Sequence, residues 1–180
     1  MASTDVHSDA GSAVARLRAA TRTAHDAVDA AFGRFDLSDR DDYRAFLAAH
    51  ARALPVAEAL ALSVPLDPAP VPRAPLLAAD LADLGAPMPE PLTFAPRSDA
   101  ARWGILYVVE GSRLGGAMLA KAVPPGLPHR YLAAAHPAGQ WRALRTAIDA
   151  AGEGKDEPWH AAMLDAALAC FRLYERAAAA

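Results

Sequence analysis

The sequence predicts an all-α fold in a single domain. The chain has 180 residues, of which 53% are hydrophobic and 22% charged, and this length can bury one core of ordinary size. Alanine is abundant while β-branched and aromatic residues are sparse, which favours helix over strand. Apolar residues recur at steps of three and four, the period of an amphipathic helix. We therefore expect a helical domain over residues 13–178, preceded by a flexible tail over residues 1–12.

The first two predicted helices each have an apolar stripe that contains a histidine. The first begins near Ser12 and ends at about Phe32, and its stripe consists of Val14, Leu17, Thr21, His25, Val28 and Phe32. The second begins with Ser38 as N-cap and an acidic first turn. Its stripe consists of Tyr43, Phe46, Leu47, His50, Leu54 and Leu60. This spacing predicts that both histidines lie on buried faces.

Proline-rich connectors interrupt the middle of the chain. They cover residues 64–75 and 87–96 and flank a short predicted helix at about Leu76–Leu84, because proline disfavours helix interiors. A long helix then begins at Ser98 and ends before Pro124. Two more helices follow, one with Pro137 in its first turn and one that begins at Asp156.

Charge and composition exclude several classes of protein. There are 18 Lys and Arg against 21 Asp and Glu, a net charge of -3, so nucleic acid is not an expected partner. Cys170 is the one cysteine, which forbids an intrachain disulfide and suits a reducing compartment. The polar N-terminal residues lack the pattern of a signal peptide, and no apolar run reaches the roughly 18 to 20 residues of a spanning helix. We expect a cytoplasmic protein that does not bind membranes.

Four of the eleven glycines lie within the long predicted helix, at Gly104, Gly111, Gly115 and Gly116. Each costs about 1 kcal/mol relative to alanine in a helix interior. One interpretation is close helix packing, for which the spacing of Gly111 and Gly115 is suitable. The other is that these two glycines let the helix backbone approach a flat ligand, with a bend at Gly116.

The histidines are the second group of candidate functional residues. His25 follows Arg18 and Arg22 by two turns and one turn of the first helix, and His50 has an equal claim by periodicity. The other four, His7, His129, His136 and His160, fall in predicted tail, loop or helix-start positions, where we expect exposure. Neither helical histidine has the spacing of a zinc motif, so the pattern leaves the choice between them open.

Two segments resemble the signature helices of the haem oxygenases. The first is LRAATRTAH, which ends at His25, and the second is YVVEGSRLGG, which ends at Gly116. Their order and a closing F-x-x-Y-E pattern from Phe171 are also similar, and the likeness covers residues 17–176. The chain is more similar to the bacterial branch, which makes biliverdin for bacteriophytochromes or releases iron. This resemblance implies a helical bundle with haem between a proximal N-terminal helix and a glycine-rich, kinked distal helix.

The resemblance also implies roles for individual residues. His25 matches the axial ligand of the haem iron, since a neutral imidazole leaves ferrous iron able to bind O2. Gly111 and Gly115 match the distal glycines that lie over the porphyrin, which is both cofactor and substrate. Arg18 matches a basic position suited to a haem propionate, and Arg22 matches a second one.

Other matches to the family pattern are less direct. Ser112 stands where many relatives have an acidic residue that orders the distal water network, and a serine hydroxyl can still order water. Tyr107 is a candidate pocket residue. Arg142 and Arg145 are both candidates for a further propionate contact, and we select Arg142.

The expected activity is the cleavage of haem b to biliverdin, iron and CO, with O2 and an external electron donor. The donor would be a ferredoxin or a reductase that meets a basic surface of Arg16, Arg18 and Arg22, and a bacteriophytochrome could receive the biliverdin. A haem carrier or sensor on the same fold is one alternative. A di-iron oxidase is another, although none of its candidate carboxylates Glu58, Glu110 and Asp165 belongs to an E-x-x-H pair. A third alternative is a purely structural helical module, in which helix packing alone would explain the glycines.

Overall fold

The computed structural model describes residues 11–180, and in this range the chain forms α-helices and no strand. The all-α prediction is therefore confirmed. A 3₁₀ turn at Ala120–Ala122 follows the fourth helix. The helices are Ala13–Phe32 (α1), Arg40–Ala61 (α2), Ala74–Asp83 (α3), Asp99–Leu119 (α4), Arg130–Ala133 (α5), Gln140–Gly152 (α6) and Glu157–Ala179 (α7). Residues 1–10 of the expected tail lie outside the described range.

Side-chain caps set the starts of the long helices. Ser12, Ser98 and Asp156 cap α1, α4 and α7, each accepting a hydrogen bond from a backbone N–H three residues later. The prediction of Ser38 as the cap of α2 is wrong. Asp39 caps α2 instead, because the Ser38 hydroxyl donates to Asp36 at 2.6 Å and is not available to the helix.

Proline marks the helix boundaries less closely than we predict. Helix α3 begins at Ala74 and has Pro75 in its first turn, where the missing N–H costs no helical hydrogen bond. The first connector is therefore shorter than expected. Pro137 does not lie in a first turn, because Gly139 adopts a left-handed conformation with φ 82° and α6 begins after it. The four-residue α5 was not predicted, since it is too short to show a period.

The core is formed where α7 packs against α1, α2 and α4. Gly104 allows the closest approach, because a Cβ there would overlap the carbonyl group of Met163 on α7. A Cβ on Gly116 would lie 3.1 Å from the carbonyl oxygen of Leu132 on α5. Two of the four glycines of α4 are thus explained by packing. The helix remains α-helical through all four of them, and the expected bend at Gly116 stays a prediction.

Among residues 11–180, no helix is long and apolar enough to cross a membrane. Cys170 is buried and unpaired, and burial raises the pKa of its thiol. It therefore belongs to the packing of α7 and not to a reactive site.

Candidate functional site

A cavity of about 810 Å³, here called the apolar cavity, lies between α1 and α4. Its volume is in the range of small-molecule sites. Leu114, Met118 and Leu119 are exposed large apolar side chains of α4, and all three line this cavity. Other residues of its wall are His25, Val28, Phe32, Gly111, Gly115, Trp141, Phe171 and Tyr174. The surface is suited to a large, flat and mostly apolar ligand.

A second cavity of about 550 Å³, here called the basic cavity, adjoins the first. The arginines Arg18, Arg22 and Arg145 line it, with Asp26 as the one acidic residue among the described residues of its wall. The two cavities share four wall residues, which are His25, Tyr107, Leu114 and Trp141. A ligand that fills the apolar cavity can therefore direct anionic groups towards arginine side chains.

His25 lies on the wall of both cavities, and the expectation that it is buried is wrong. Its side chain is 59% exposed, because this part of the α1 stripe faces the cavity and not the core. Its Nδ1 atom lies 3.1 Å from Oδ2 of Asp29, one turn later, and its ring meets the edge of Phe171. When Nδ1–H donates to Asp29, the Nε2 lone pair is free to bind a metal. This is the usual arrangement of a histidine ligand and its supporting carboxylate.

His50 has a different environment, although its position on α2 gives the same pattern. Its ring packs 4.3 Å from that of Phe32 and 4.4 Å from that of Phe46, and Nδ1 lies 2.8 Å from the hydroxyl of Tyr131. Burial and the nearby charge of Arg73 lower the pKa of His50 to about 3. His50 is thus a neutral histidine that packs among aromatic rings and also borders the apolar cavity, whereas His25 is the more exposed of the two and has a carboxylate beside its Nδ1 atom.

Gly111 and Gly115 differ from the two packing glycines of α4. A Cβ added to Gly115 would meet nothing within 4 Å, and one on Gly111 would meet only the Trp141 ring, at 3.5 Å. Helix packing therefore does not require either glycine. Both lie at the surface of the apolar cavity, where they let the backbone of α4 approach a ligand.

Ser112 lines the apolar cavity, and its hydroxyl is fixed from behind. The oxygen accepts a hydrogen bond of 2.8 Å from Nη2 of Arg73 and donates one of 2.7 Å to the carbonyl of Val109. Arg73 is buried and also donates to that carbonyl. The carboxylate of Glu58 accepts from the backbone N–H groups of Arg73 and Ala74. Sequence reasoning missed Arg73, although an arginine between two prolines at a helix start was a visible signal.

Tyr107, a candidate pocket residue in the sequence, lies on the wall shared by both cavities. Burial raises the pKa of its hydroxyl, and the charges of Arg18 and Arg145 oppose that effect. Arg145 lines the basic cavity, whereas Arg142 is not among the wall residues of either cavity. The reason is helical geometry, because residue 145 shares a helix face with Trp141 and residue 142 does not.

A buried ionic cluster of Glu110, Arg113 and His136 lies behind the glycines of α4. Arg113 binds both carboxylate oxygens of Glu110, at 2.8 and 3.2 Å, and Nε2 of His136 lies 3.0 Å from the same carboxylate. All three side chains are at most 5% exposed. The expected exposure of His136 is therefore wrong, and His160 is buried as well. The separation of 26 residues between Glu110 and His136 hid their contact from sequence reasoning.

The described residues contain no group of three or more His, Cys, Asp or Glu side chains arranged to hold a metal ion. Glu110 is paired with Arg113, and Glu58 accepts backbone hydrogen bonds. The structure therefore gives the di-iron alternative no ligand set within residues 11–180.

Comparison with known proteins agrees with this architecture. No family model matches the chain. A heme oxygenase of Xanthomonas campestris is 42% identical over 84 residues, which cover 43% of this chain and 50% of that protein. The chain thus matches half the length of this relative. The heme oxygenase of Neisseria meningitidis, solved with NO and CO bound, superposes with a TM-score of 0.78 at 24% identity, covering 93% of this chain and 90% of that one.

The fold is that of a haem oxygenase. The two signature segments and their order indicate a resemblance to the haem oxygenases. The fold and the similarity to the Xanthomonas protein confirm that resemblance.

Proposed function

We propose that this chain is a haem oxygenase, which uses O2 and electrons from an external donor to convert haem b to biliverdin, iron and CO. One observation carries the proposal. His25 and the open backbone at Gly111 and Gly115 border the same apolar cavity. The similarity to two heme oxygenases supports the same activity.

The residues present fit haem. Its macrocycle is flat and apolar, as the cavity wall requires, and its two carboxylates lie at one edge. Nε2 of His25 would bind the iron, and the arginines of the basic cavity would pair with the carboxylates. The bound haem supplies the redox-active iron and is itself the ring that is opened.

The side chains around the cavity perform three tasks in this proposal. Gly111 and Gly115 would let a flat ring lie against the backbone of α4. His25 is oriented by Asp29, which holds the ring in one tautomer. The oxygen of Ser112 already donates one hydrogen bond and accepts another, so one lone pair remains to orient a water molecule. Arg73 holds that oxygen in place.

The test is an absorption titration of the purified protein with hemin, followed by ascorbate or a ferredoxin reducing system under air. The proposal predicts a saturable Soret band of a histidine-ligated haem that decays into the red absorption of biliverdin. A Soret band that forms and persists would contradict the activity and favour a haem carrier or sensor. Absence of a saturable Soret shift would contradict haem binding itself, and two irons retained per chain would favour the di-iron alternative.

The physiological context forms a finer part of the proposal. An acidic ferredoxin would dock at the exposed arginines beside the basic cavity, where Arg18 and Arg22 form no ion pair with a protein carboxylate of residues 11–180 and Arg16 is paired with Glu157 at 2.9 Å. Rates of reduction that fall with ionic strength would support this surface. We further propose that the protein acts in the cytoplasm and that its biliverdin serves a bacteriophytochrome.

A further inference from the structure

We propose that Trp141 is the residue that fixes the in-plane orientation of the bound haem and so selects the meso carbon that is opened. The inference rests on the proposed function. It assigns a role to a side chain that belongs to neither the iron ligand nor the distal glycines.

Trp141 lies where the two cavities adjoin. The residue lines both the apolar and the basic cavity, and its Cη2 atom lies 3.5 Å from the place that a Cβ on Gly111 would occupy. The ring of Tyr107 lies beside it, with the centroids 6.0 Å apart. A macrocycle whose carboxylate edge extends into the basic cavity must therefore pass along the indole.

Buried side chains also hold the indole of Trp141 in place. The imidazole of His136 stacks on the indole at 5.8 Å and 23°, and its Nε2 atom is held by Glu110 at 3.0 Å. Arg113 in turn fixes both oxygens of that carboxylate. Because Glu110 immediately precedes Gly111 on α4, the same stretch of helix carries the distal glycine and the anchor of the indole. The distance between the backbone at Gly111 and the indole of Trp141 is thus set by buried contacts.

The shape of haem explains why a rigid wall at Trp141 would affect which meso carbon is opened. The macrocycle is nearly square, so rotation about the normal to its plane brings a different meso carbon to the distal glycines at each quarter turn. Arginine side chains are long and flexible, and they can follow the carboxylates through small rotations. An indole has only two side-chain torsions and is rigid by comparison. Trp141, backed by His136, is therefore the part of the wall that can distinguish one orientation from another by shape.

The experiment compares the wild type with Trp141→Ala and Trp141→Phe, and uses Trp159→Phe as matched control because Trp159 lines neither cavity. Two quantities are measured: the ratio of biliverdin isomers by chromatography, and the haem methyl resonances of the cyanide-inhibited ferric complex by proton NMR. We expect Trp141→Ala to reduce the discrimination between orientations at least about tenfold, as for other shape-based contacts in apolar pockets. New isomers and a second set of methyl resonances should appear together. Trp141→Phe should give an intermediate result, and the control should match the wild type.

His136→Phe tests the buried support, because it retains an aromatic ring against the indole and removes the hydrogen bond to Glu110. It should shift the isomer ratio in the same direction as Trp141→Ala, by a smaller factor. A wild-type isomer ratio and a single set of resonances in folded Trp141→Ala, checked by circular dichroism, would overturn the proposal. Failure of the wild type to bind hemin would instead overturn the proposed function, so the two failures are distinguishable.

Discussion

His25 and His50 occupy the same kind of position in the sequence and different environments in the structure. Both lie on the apolar stripe of a long helix and both border the apolar cavity, but His25 is exposed with one ring nitrogen beside Asp29, while His50 is half-buried among aromatic rings and is bonded to Tyr131. An apolar stripe therefore indicates a buried or ligand-covered face without distinguishing the two. The exposure of the ring and the partner of its Nδ1 atom are what distinguish the two histidines.

The glycines of α4 divide in the same way. A Cβ at Gly104 or Gly116 would meet neighbouring backbone, whereas one at Gly111 or Gly115 would not; Gly116 lines the apolar cavity together with Gly111 and Gly115. If this division is correct, substitutions at the cavity change haem chemistry with little effect on folding. Substitutions at the core change folding first.

The largest expected effect is that of His25→Ala. The variant should lose the histidine-ligated Soret band and at least roughly a hundredfold of its biliverdin formation, because the iron loses its protein ligand. Added imidazole should restore part of the band. His50→Phe, which keeps an aromatic ring between Phe32 and Phe46, should retain it. Loss of the band in His50→Phe but not in His25→Ala would reverse the comparison.

Gly104→Ala and Gly115→Ala should change stability in opposite directions. A methyl group at residue 104 meets the carbonyl of Met163, and such overpacking costs about 1–3 kcal/mol or more. A methyl group at residue 115 meets nothing, and alanine favours helix by up to about 1 kcal/mol. The same methyl enters the cavity and should lower turnover at least roughly tenfold by displacing the haem. Thermal unfolding and hemin turnover of both variants check the pair, and equal destabilisation would contradict it.

The third prediction concerns pH and the apoprotein. The pKa of His50 is about 3 in the folded chain against about 6.5 when unfolded, so folding favours the neutral ring. The resulting stability is fully present above pH 6.5 and is lost as pH falls towards 3, by up to about 1.4 kcal/mol per pH unit. His136, whose pKa is also lowered by burial, adds to the same slope. Urea unfolding at pH 6.5 and 4.5 should therefore show a smaller loss for His50→Phe than for the wild type, and equal losses would show that His50 does not titrate as described.

The smallest expected effect is at the basic cavity. Arg145→Ala should weaken hemin binding by about two- to fivefold, as is typical of partly exposed charge pairs. Arg142→Ala should leave it unchanged, because Arg142 is not part of either cavity wall. The hemin dissociation constant at low ionic strength measures both. A larger effect at residue 142 than at 145 would show that the carboxylates lie elsewhere.

Local signals predicted most of the fold. The caps at Ser12, Ser98 and Asp156 lie where the sequence places them, because capping depends on neighbours within four residues. The predicted starts of α2 and α6, which were based on Ser38 and Pro137, were wrong. In both cases a nearby residue, Asp36 or Gly139, imposed a local conformation that competes with the helix.

The site was predictable only in part, because its supports join residues distant in the chain. The signature segments predict His25, Gly111 and Gly115 as site residues, and the structure places all three at the apolar cavity. They could not place His136 against Glu110, 26 residues earlier, nor Arg73 against Ser112, 39 residues later. The periodicity of apolar residues carries no information about such pairs. It also does not predict the exposure of His25, because that exposure depends on whether another helix covers this face of α1.

The most direct test of the central claim is the position of the iron in a crystal of the hemin complex, located by anomalous diffraction at the iron edge. We expect one iron at coordination distance from Nε2 of His25, with the macrocycle against the backbone at Gly111 and Gly115. Iron bound at another side chain, or a macrocycle outside the apolar cavity, would contradict this account.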